Sequence, residues 1–327
     1  MKKLFTFFLC VAILLPLLFT ACQKEQEGVY NPKKKIERIY TEMHAIDYDY
    51  NDQYNIGKHI SEVWNWDGDR LNSITLYDEE GSYETTVTFS YDGNRISGMS
   101  YDGQDYRYAF NYENNLIVSI IAYRRNNVRG IWRFTHTDDK ITRIDSEDIF
   151  DKNDTKDSHT PTISPLRFIL PSLDLEKATN NCRMTQKEKG SSSTGVWELE
   201  WDKKNIQKVK YTSGWYDEAD NYFPYNYFLE FTYDTRVNPF YNSYRGDANY
   251  TIYSENVLQY YYPVATSKNN VLTRKYSGSE TLEMTLEYNY TYEDQFPIVQ
   301  EMNVVSYTTQ GVQENWTLRE VVYYEYE

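Results

Sequence analysis

The side chains best suited to recognition in this chain are aromatic. Three clusters stand out: Trp215-Tyr216, the run Tyr222-Phe223-Pro224-Tyr225-Asn226-Tyr227, and Tyr260-Tyr261-Tyr262. A flat ring offers a face on which a sugar ring can stack, and its phenol or indole N–H adds a directed hydrogen bond. The same residues can also pack across neighbouring strands, which is the expected use for most of the 34 tyrosines. Because these clusters lie in or beside expected loops, Trp215, Tyr216, Tyr222, Tyr225, Tyr260, Tyr261 and Tyr262 are the candidate ligand-binding residues.

Catalytic chemistry finds little support. His44, His59, His136 and His159 show no metal-ligand spacing, and no His-Glu-x-x-His occurs. No nucleophile elbow, phosphate loop or dinucleotide fingerprint is present, and Cys182 has no histidine near it in sequence. Asp47-Tyr48-Asp49-Tyr50-Asn51-Asp52 alternates oxygen ligands like the start of a calcium loop. It lacks the glycine and the closing glutamate of an EF-hand, so a solvated acidic loop is the simpler expectation. Glycoside hydrolysis would need two carboxylates across a cleft, and 49 acidic residues scattered over turns single out no pair. The expectation is no enzymatic activity, no cofactor and no metal. A net charge of −15 argues against phosphate contacts with nucleic acid.

The elements that would carry these aromatics follow from a repeat. An aromatic residue is followed by a turn former, with apolar residues five and eight positions later. Trp66-Asp67-Gly68 leads to Leu71 and Ile74, Tyr91-Asp92-Gly93 to Ile96 and Met99, and Tyr112-Glu113-Asn114 to Ile117 and Ile120. His136-Thr137-Asp138 leads to Ile141 and Ile144, with histidine in the aromatic slot, and Trp201-Asp202-Lys203 leads to Ile206 and Val209. Looser copies begin at Tyr233 and Tyr292. Period-two alternation before each aromatic, as in Thr86-Val87-Thr88-Phe89-Ser90-Tyr91, reads as strand, turn, strand. The second strand is expected to begin at the first apolar position. Spacings of roughly two dozen residues suit a hairpin and its return. The predicted fold is all-β: an antiparallel meander of about sixteen strands in a strongly curved or barrel-like single sheet. Residues 147–195 break the pattern as an irregular insertion, with a short helical stretch expected at Ser172 to Ala178. Since the repeat runs on both sides of the insertion, one sheet is expected rather than two domains. Along 281–292 the alternation suits an outer-membrane strand and equally a one-faced soluble sheet.

The N-terminus gives the address. Lys2 and Lys3 precede an apolar run from Leu4 to Phe19, too short for a span, which ends in small residues. Residues 1–21 therefore read as a signal peptide. Phe19-Thr20-Ala21-Cys22 resembles the bacterial lipoprotein box, with Phe19 where that box usually has Leu. The resemblance implies cleavage before Cys22 and lipidation of its sulfur. Gln23-Lys24-Glu25-Gln26-Glu27 resembles the acidic export signal of Bacteroidetes surface lipoproteins. That implies an outer-membrane anchor with the body exposed at the surface. Residues 22–35 read as a lipidated tether and 36–327 as the β domain. With Cys10 removed and Cys22 lipidated, Cys182 has no disulfide partner.

The Tyr-Asp pattern resembles the YD repeats of bacterial shell-forming toxins. A second resemblance rests on Tyr233-Asp234-Thr235-Arg236-Val237-Asn238-Pro239-Phe240, Ser267-Lys268-Asn269-Asn270-Val271 and Tyr290-Thr291-Tyr292-Glu293-Asp294-Gln295-Phe296-Pro297. These stretches are similar to a Bacteroidetes outer-membrane lipoprotein family of unknown function with a porin-like fold, which has Gly and Tyr where this chain has Gln295 and Phe296. The resemblance implies a curved or barrel-like sheet and no activity. The expectation is a lipid-anchored cell-surface or outer-membrane protein that binds a glycan or another exposed partner. Two other expectations stand beside it: an assembly lipoprotein packing against an outer-membrane complex, and a carrier of an apolar ligand.

Overall fold

A computed structural model describes residues 27–47, 52–103, 105–148, 193–216, 222–241, 267–278, 283–309, 312–313 and 316–327. The strands in chain order are β1 (Ile36–Asp47), β2 (Asp52–Asp67), β3 (Arg70–Tyr77), β4 (Tyr83–Asp92), β5 (Arg95–Tyr101), β6 (Tyr106–Glu113), β7 (Leu116–Arg124), β8 (Asn127–Thr137) and β9 (Lys140–Asp148). After residues 149–192 come β10 (Ser193–Asp202), β11 (Asn205–Tyr216), β12 (Tyr222–Tyr233), β13 (Val271–Gly278), β14 (Glu283–Glu293), β15 (Phe296–Thr309), β16 (Val312–Gln313) and β17 (Trp316–Tyr326). Each pairs antiparallel with its sequence neighbour, and β17 returns to β1, with Met43 opposite Glu320. The two-residue β16 lies beside the end of β15, so sixteen staves close a barrel. The break at 149–192 does not divide the sheet, because β9 pairs directly with β10, Ile144 opposite Trp197. The expected helical stretch at Ser172 to Ala178 and most of the 147–195 insertion lie outside the described residues.

The repeat is explained by one backbone device. Side chains on a strand alternate faces, so apolar positions five and eight would point to opposite faces of a regular strand. The register shifts at Asn65/Trp66, Ser90/Tyr91, Asn111/Tyr112, Thr135/His136 and Glu200/Trp201. Each shift is a β-bulge: Tyr91 faces Ile96 while Ser90 faces Gly98, leaving Ser97 as the extra residue. That residue restores the parity, so both apolar positions face inward. Leu71, Ile96, Ile117, Ile141 and Ile206 are all buried, as are Ile74, Met99, Ile120, Ile144 and Val209. Burying one such side chain contributes about 1.5–3 kcal/mol. Strands begin one residue earlier than expected, at Arg70, Arg95, Leu116, Lys140 and Asn205, because that residue already pairs across the turn.

The turns at this end hold two residues, and the first has positive φ in each: Gly68, Gly93, Asn114, Asp138, Lys203 and Asp294. Gly, Asn and Asp suit that backbone region, and Lys203 is the exception. Connections at the opposite end, called the rim below, are of mixed length.

The aromatic slot then ties hairpin to hairpin. Trp66 Nε1 donates to the Ile36 carbonyl at 2.8 Å, Tyr91 Oη to Leu71 at 2.7 Å and Tyr112 Oη to Ile96 at 2.8 Å. Trp201 Nε1 donates to Ile141 at 2.6 Å, Tyr233 Oη to Ile206 at 2.5 Å and Tyr326 Oη to Pro297 at 2.8 Å, while on β14 the donor to Val271 at 2.9 Å is Tyr290 Oη, two residues before the slot residue Tyr292. In most links the acceptor is the fifth-position residue of the preceding copy. A cation from the preceding copy covers several of the rings: Arg70 over Tyr91 at 5.6 Å, Arg95 over Tyr112 at 4.6 Å and Lys140 over Trp201 at 5.9 Å. Lys35 covers Trp66 at 5.7 Å. Such contacts contribute about 0.5–1 kcal/mol each when exposed.

The outward face is polar and charged. Lys210 pairs with Glu198 at 2.9 Å, Lys208 with Glu230 at 2.8 Å, Arg133 with Glu147 at 3.2 Å and Arg319 with Glu301 at 3.0 Å. The alternating stretch along β14 turns its apolar side inward: Met284, Leu286 and Tyr288 are buried, while Glu283, Glu287 and Asn289 are exposed. A lipid-facing strand has the opposite pattern.

Two predictions follow from the linked aromatics. Tyr91→Phe leaves the Leu71 carbonyl without its donor and should destabilise by about 1–2 kcal/mol. The same change at Tyr83, which is 55% exposed, should cost no more than about 0.5 kcal/mol. Denaturant midpoints measure both. Burial pushes the Tyr91 phenol up to about 12 from its ordinary 10.0, against the weaker opposing pull of Arg70. Because the folded value is the higher one, the contribution of Tyr91 is complete below pH 10 and lost as pH rises through about 12. Spectrophotometric titration should show a late-ionising tyrosine class from which Tyr91→Phe removes one member.

Candidate functional site

The β11–β12 hairpin carries the first two aromatic clusters at the rim. Its register sets Trp215 opposite Phe223, Tyr216 opposite Tyr222 and Ser213 opposite Tyr225. Trp215, Tyr216, Tyr222 and Tyr225 therefore stand on paired strand ends flanking residues 217–221 rather than within a loop. Tyr260, Tyr261 and Tyr262 lie outside the described residues. Residues 241 and 267, which flank their segment, both sit at the opposite, two-residue-turn end of the barrel. The aromatic candidates thus belong to two connections rooted at opposite ends. Cys22, Cys182 and His159 are outside the described residues, as are residues 48–51 of the acidic stretch, whose ends Asp47 and Asp52 pair with each other.

The remaining histidines do not converge. His44 contacts Glu42 at 2.7 Å on the β1 surface, and His59 Nδ1 lies 3.0 Å from the Gly57 carbonyl. Among the described residues no group of three or more His, Cys, Asp or Glu side chains could hold a metal ion.

His136 has a more specific role. It fills the aromatic slot of its repeat with a shorter side chain, and Glu27 occupies the space between hairpins. His136 Nε2 lies 3.2 Å from Glu27 Oε2, and the same carboxylate oxygen accepts from the Ile117 amide at 2.5 Å. The Glu27 amide donates to Asn115 O at 3.2 Å, and Gly28 O accepts from the Ile96 amide at 2.9 Å. The N-terminal segment therefore supplies the one link of the ring, among the described residues, that no phenol or indole makes. Next to it Tyr30 is buried and donates to Pro239 O at 2.8 Å. The stretch read from sequence as a tether to residue 35 is, from Glu27 onward, part of the barrel end. Short polar and charged residues suggested a solvated leash there, whereas the backbone groups of Glu27 and Gly28 have fixed partners.

A polar node at the same end was missed by sequence reasoning. Asp234 Oδ1 accepts from the Arg236 and Asn270 amides at 3.0 Å each. Its Oδ2 accepts from Asn270 Nδ2 at 3.1 Å and from Tyr292 Oη. Burial, followed by the Asp234 carboxylate, raises the Tyr292 phenol well above its ordinary value, so it remains a donor. Asn238 Nδ2 donates to Ser267 O at 2.8 Å, and Asn269 Nδ2 to Arg236 O at 2.7 Å. With four donors on its carboxylate, Asp234 makes the node a staple holding residues 234–241 against 267–270. The signal was present as Asn and Asp at turn positions in three separate stretches, but their convergence is tertiary. Phe240, carried on this staple, is buried against Trp64 and Tyr324, with ring centroids at 6.1 and 5.8 Å.

The inward face also holds buried polar groups that alternation alone did not flag: Glu62, Arg274, Gln300 and Glu320. Trp64 Nε1 donates to Glu62 at 2.7 Å, and Tyr324 Oη to Gln300 at 3.0 Å. Fold and side-chain pattern together define the class: a closed sixteen-stave antiparallel barrel, apolar within and charged outside. No protein-family model matches the chain, and no curated protein matches it significantly.

Gly28 tests the packing of the N-terminal segment. It has φ +80°, and an added Cβ would lie 2.2 Å from Tyr112 Oη. Gly28→Ala should destabilise by about 1–3 kcal/mol through backbone strain and displacement of Tyr112 from Ile96. Thermal unfolding measures it. Gly68→Ala, at φ +57° but in open space, should carry the strain alone and cost less.

Proposed function

We propose that this chain is a lipid-anchored outer-membrane protein without enzymatic activity, exposed at the cell surface, that binds a glycan through the aromatic hairpin at its rim. The observation that carries the reading is the cross-strand pairing of Tyr216 with Tyr222, next to Trp215 opposite Phe223, beside residues 217–221. Backbone pairing of the two strand ends would limit the ordering cost of binding. A sixteen-stave barrel is compatible with an outer-membrane location. The charged outward face favours attachment through lipidated Cys22 over insertion of the strands. Closure weighs against assembly through a sheet edge, since every stave described is paired on both sides. Assembly through the 149–192 connection at the rim would use the same end of the barrel.

The test is a glycan and polysaccharide screen on soluble residues 23–327, read by tryptophan fluorescence and then by calorimetry. A saturable ligand should bind at least tenfold more weakly to Tyr216→Ala and to Tyr222→Ala, the directly opposed pair, with unfolding temperatures unchanged. Absence of binding across host, dietary and bacterial glycans would sink the reading.

A further inference from the structure

We propose that the two-residue-turn end of the barrel is its membrane-proximal base and that the rim, with the Trp215–Tyr225 hairpin, points away from the bilayer. The inference rests on the reading of Cys22 as the lipidated residue and adds an interaction surface to it, the base, whose partner is the lipid headgroup layer.

The first argument is a length. The chain is fixed to the barrel at Glu27, whose amide bonds Asn115 O and whose carboxylate bonds the Ile117 amide and contacts His136. Only four residues, Gln23 to Gln26, separate Cys22 from Glu27, so five Cα–Cα steps join them. Fully extended, they span at most about 18 Å. A stave such as β8, with 11 residues, runs about 36 Å along its own axis at about 3.3 Å per residue, and about 28 Å along the barrel axis after the usual tilt. The leash is shorter than the stave. Lipid on Cys22 can therefore lie at the base but cannot reach the rim.

The second argument is rigidity at the attachment point. Glu27 stands in for the phenol or indole that joins hairpins elsewhere in the ring, Gly28 O accepts from Ile96 at 2.9 Å, and Tyr30 is buried with its hydroxyl on Pro239. A pull on the anchor is thus borne by several hairpins rather than by one frayed strand end. Six of the connections at the base are two-residue turns, and residues 242–266 are flanked there by half-buried Tyr241 and buried Ser267. Asp148 and Ser193, which flank residues 149–192, and the end of the β11–β12 hairpin are both at the far end. An upright barrel would hold that hairpin about 30 Å above its base.

The test uses the full-length lipidated protein in vesicles of phosphatidylethanolamine and phosphatidylglycerol, with Cys182→Ser as background. Fluorescent labels are placed at Asn94→Cys in a base turn or at Glu80→Cys in a rim turn, and quenching by headgroup spin-labelled lipid is read. The Asn94 label should be quenched at least threefold more than the Glu80 label. Glu27→Ala should at least halve that contrast by freeing the segment. Incorporation of a clickable palmitate, lost in Cys22→Ser, is scored on the same preparations. Lipid label with equal or inverted quenching overturns the orientation alone. Absence of lipid label overturns the anchoring reading and the orientation with it.

Discussion

The bulge that faces each repeat aromatic, on the strand after its turn, is the constraint on which the rest of the barrel depends. It disrupts the ladder locally and adds the residue that brings apolar positions five and eight to the same face. It also accompanies the carbonyl at the fifth position that accepts a bond from the next hairpin's Tyr or Trp. Neighbouring staves already share ladder bonds. The aromatic link adds a directional bond at the barrel end, where strands would otherwise fray, and the cation stacked on several of these rings shields them from water.

Among the described residues, one link of the ring is made by neither a phenol nor an indole. Where the slot holds His136, a carboxylate from the N-terminal segment reaches the Ile117 amide and the imidazole together. Further round the base, the Ser267 hydroxyl meets the Ile206 amide at 3.1 Å. The two capping segments, 27–35 and 234–241 with 267–270, therefore satisfy backbone groups that the bulges expose. They meet each other where Tyr30 bonds Pro239 and where Phe240 fills the space beside Trp64 and Tyr324. The base is in this sense a second small core, and the proposed membrane-proximal face is the best-tied part of the molecule.

The distribution of polarity bears on function in a different way. Sixteen staves are as many as some channels use, but here the inward positions are mostly Leu, Ile, Met, Phe, Trp and Tyr, with Glu62, Arg274, Gln300 and Glu320 among them, and the outward ones carry Lys, Arg and Glu in cross-strand pairs. Exposed pairs of this sort add little stability, about 0–1 kcal/mol each. Their importance lies in making the outer wall unsuited to hydrocarbon. Under the proposed reading, recognition falls to the connections at the rim.

Much of this architecture was legible in the residues. The spacing of Trp66, Leu71 and Ile74, repeated at Tyr91 and Tyr112, determined hairpins, their number and the buried face, because turn chemistry and period-two burial are local. The odd interval of three between apolar positions already contained the bulge, though only the register made it visible. Closure was not legible, since pairing of Ile39 with Tyr324 joins residues at opposite ends of the chain. Nor was the meeting of Asp234, Asn270 and Tyr292, or the partnership of Glu27 with His136, because side chains so distant in sequence share no local periodicity. The sequence by itself determined the strands, their alternation and the turn residues. Only the tertiary structure decided which carbonyl each aromatic reaches and that the Trp215 hairpin and the root of the 242–266 excursion lie at opposite ends, because both depend on how the sheet curls back on itself.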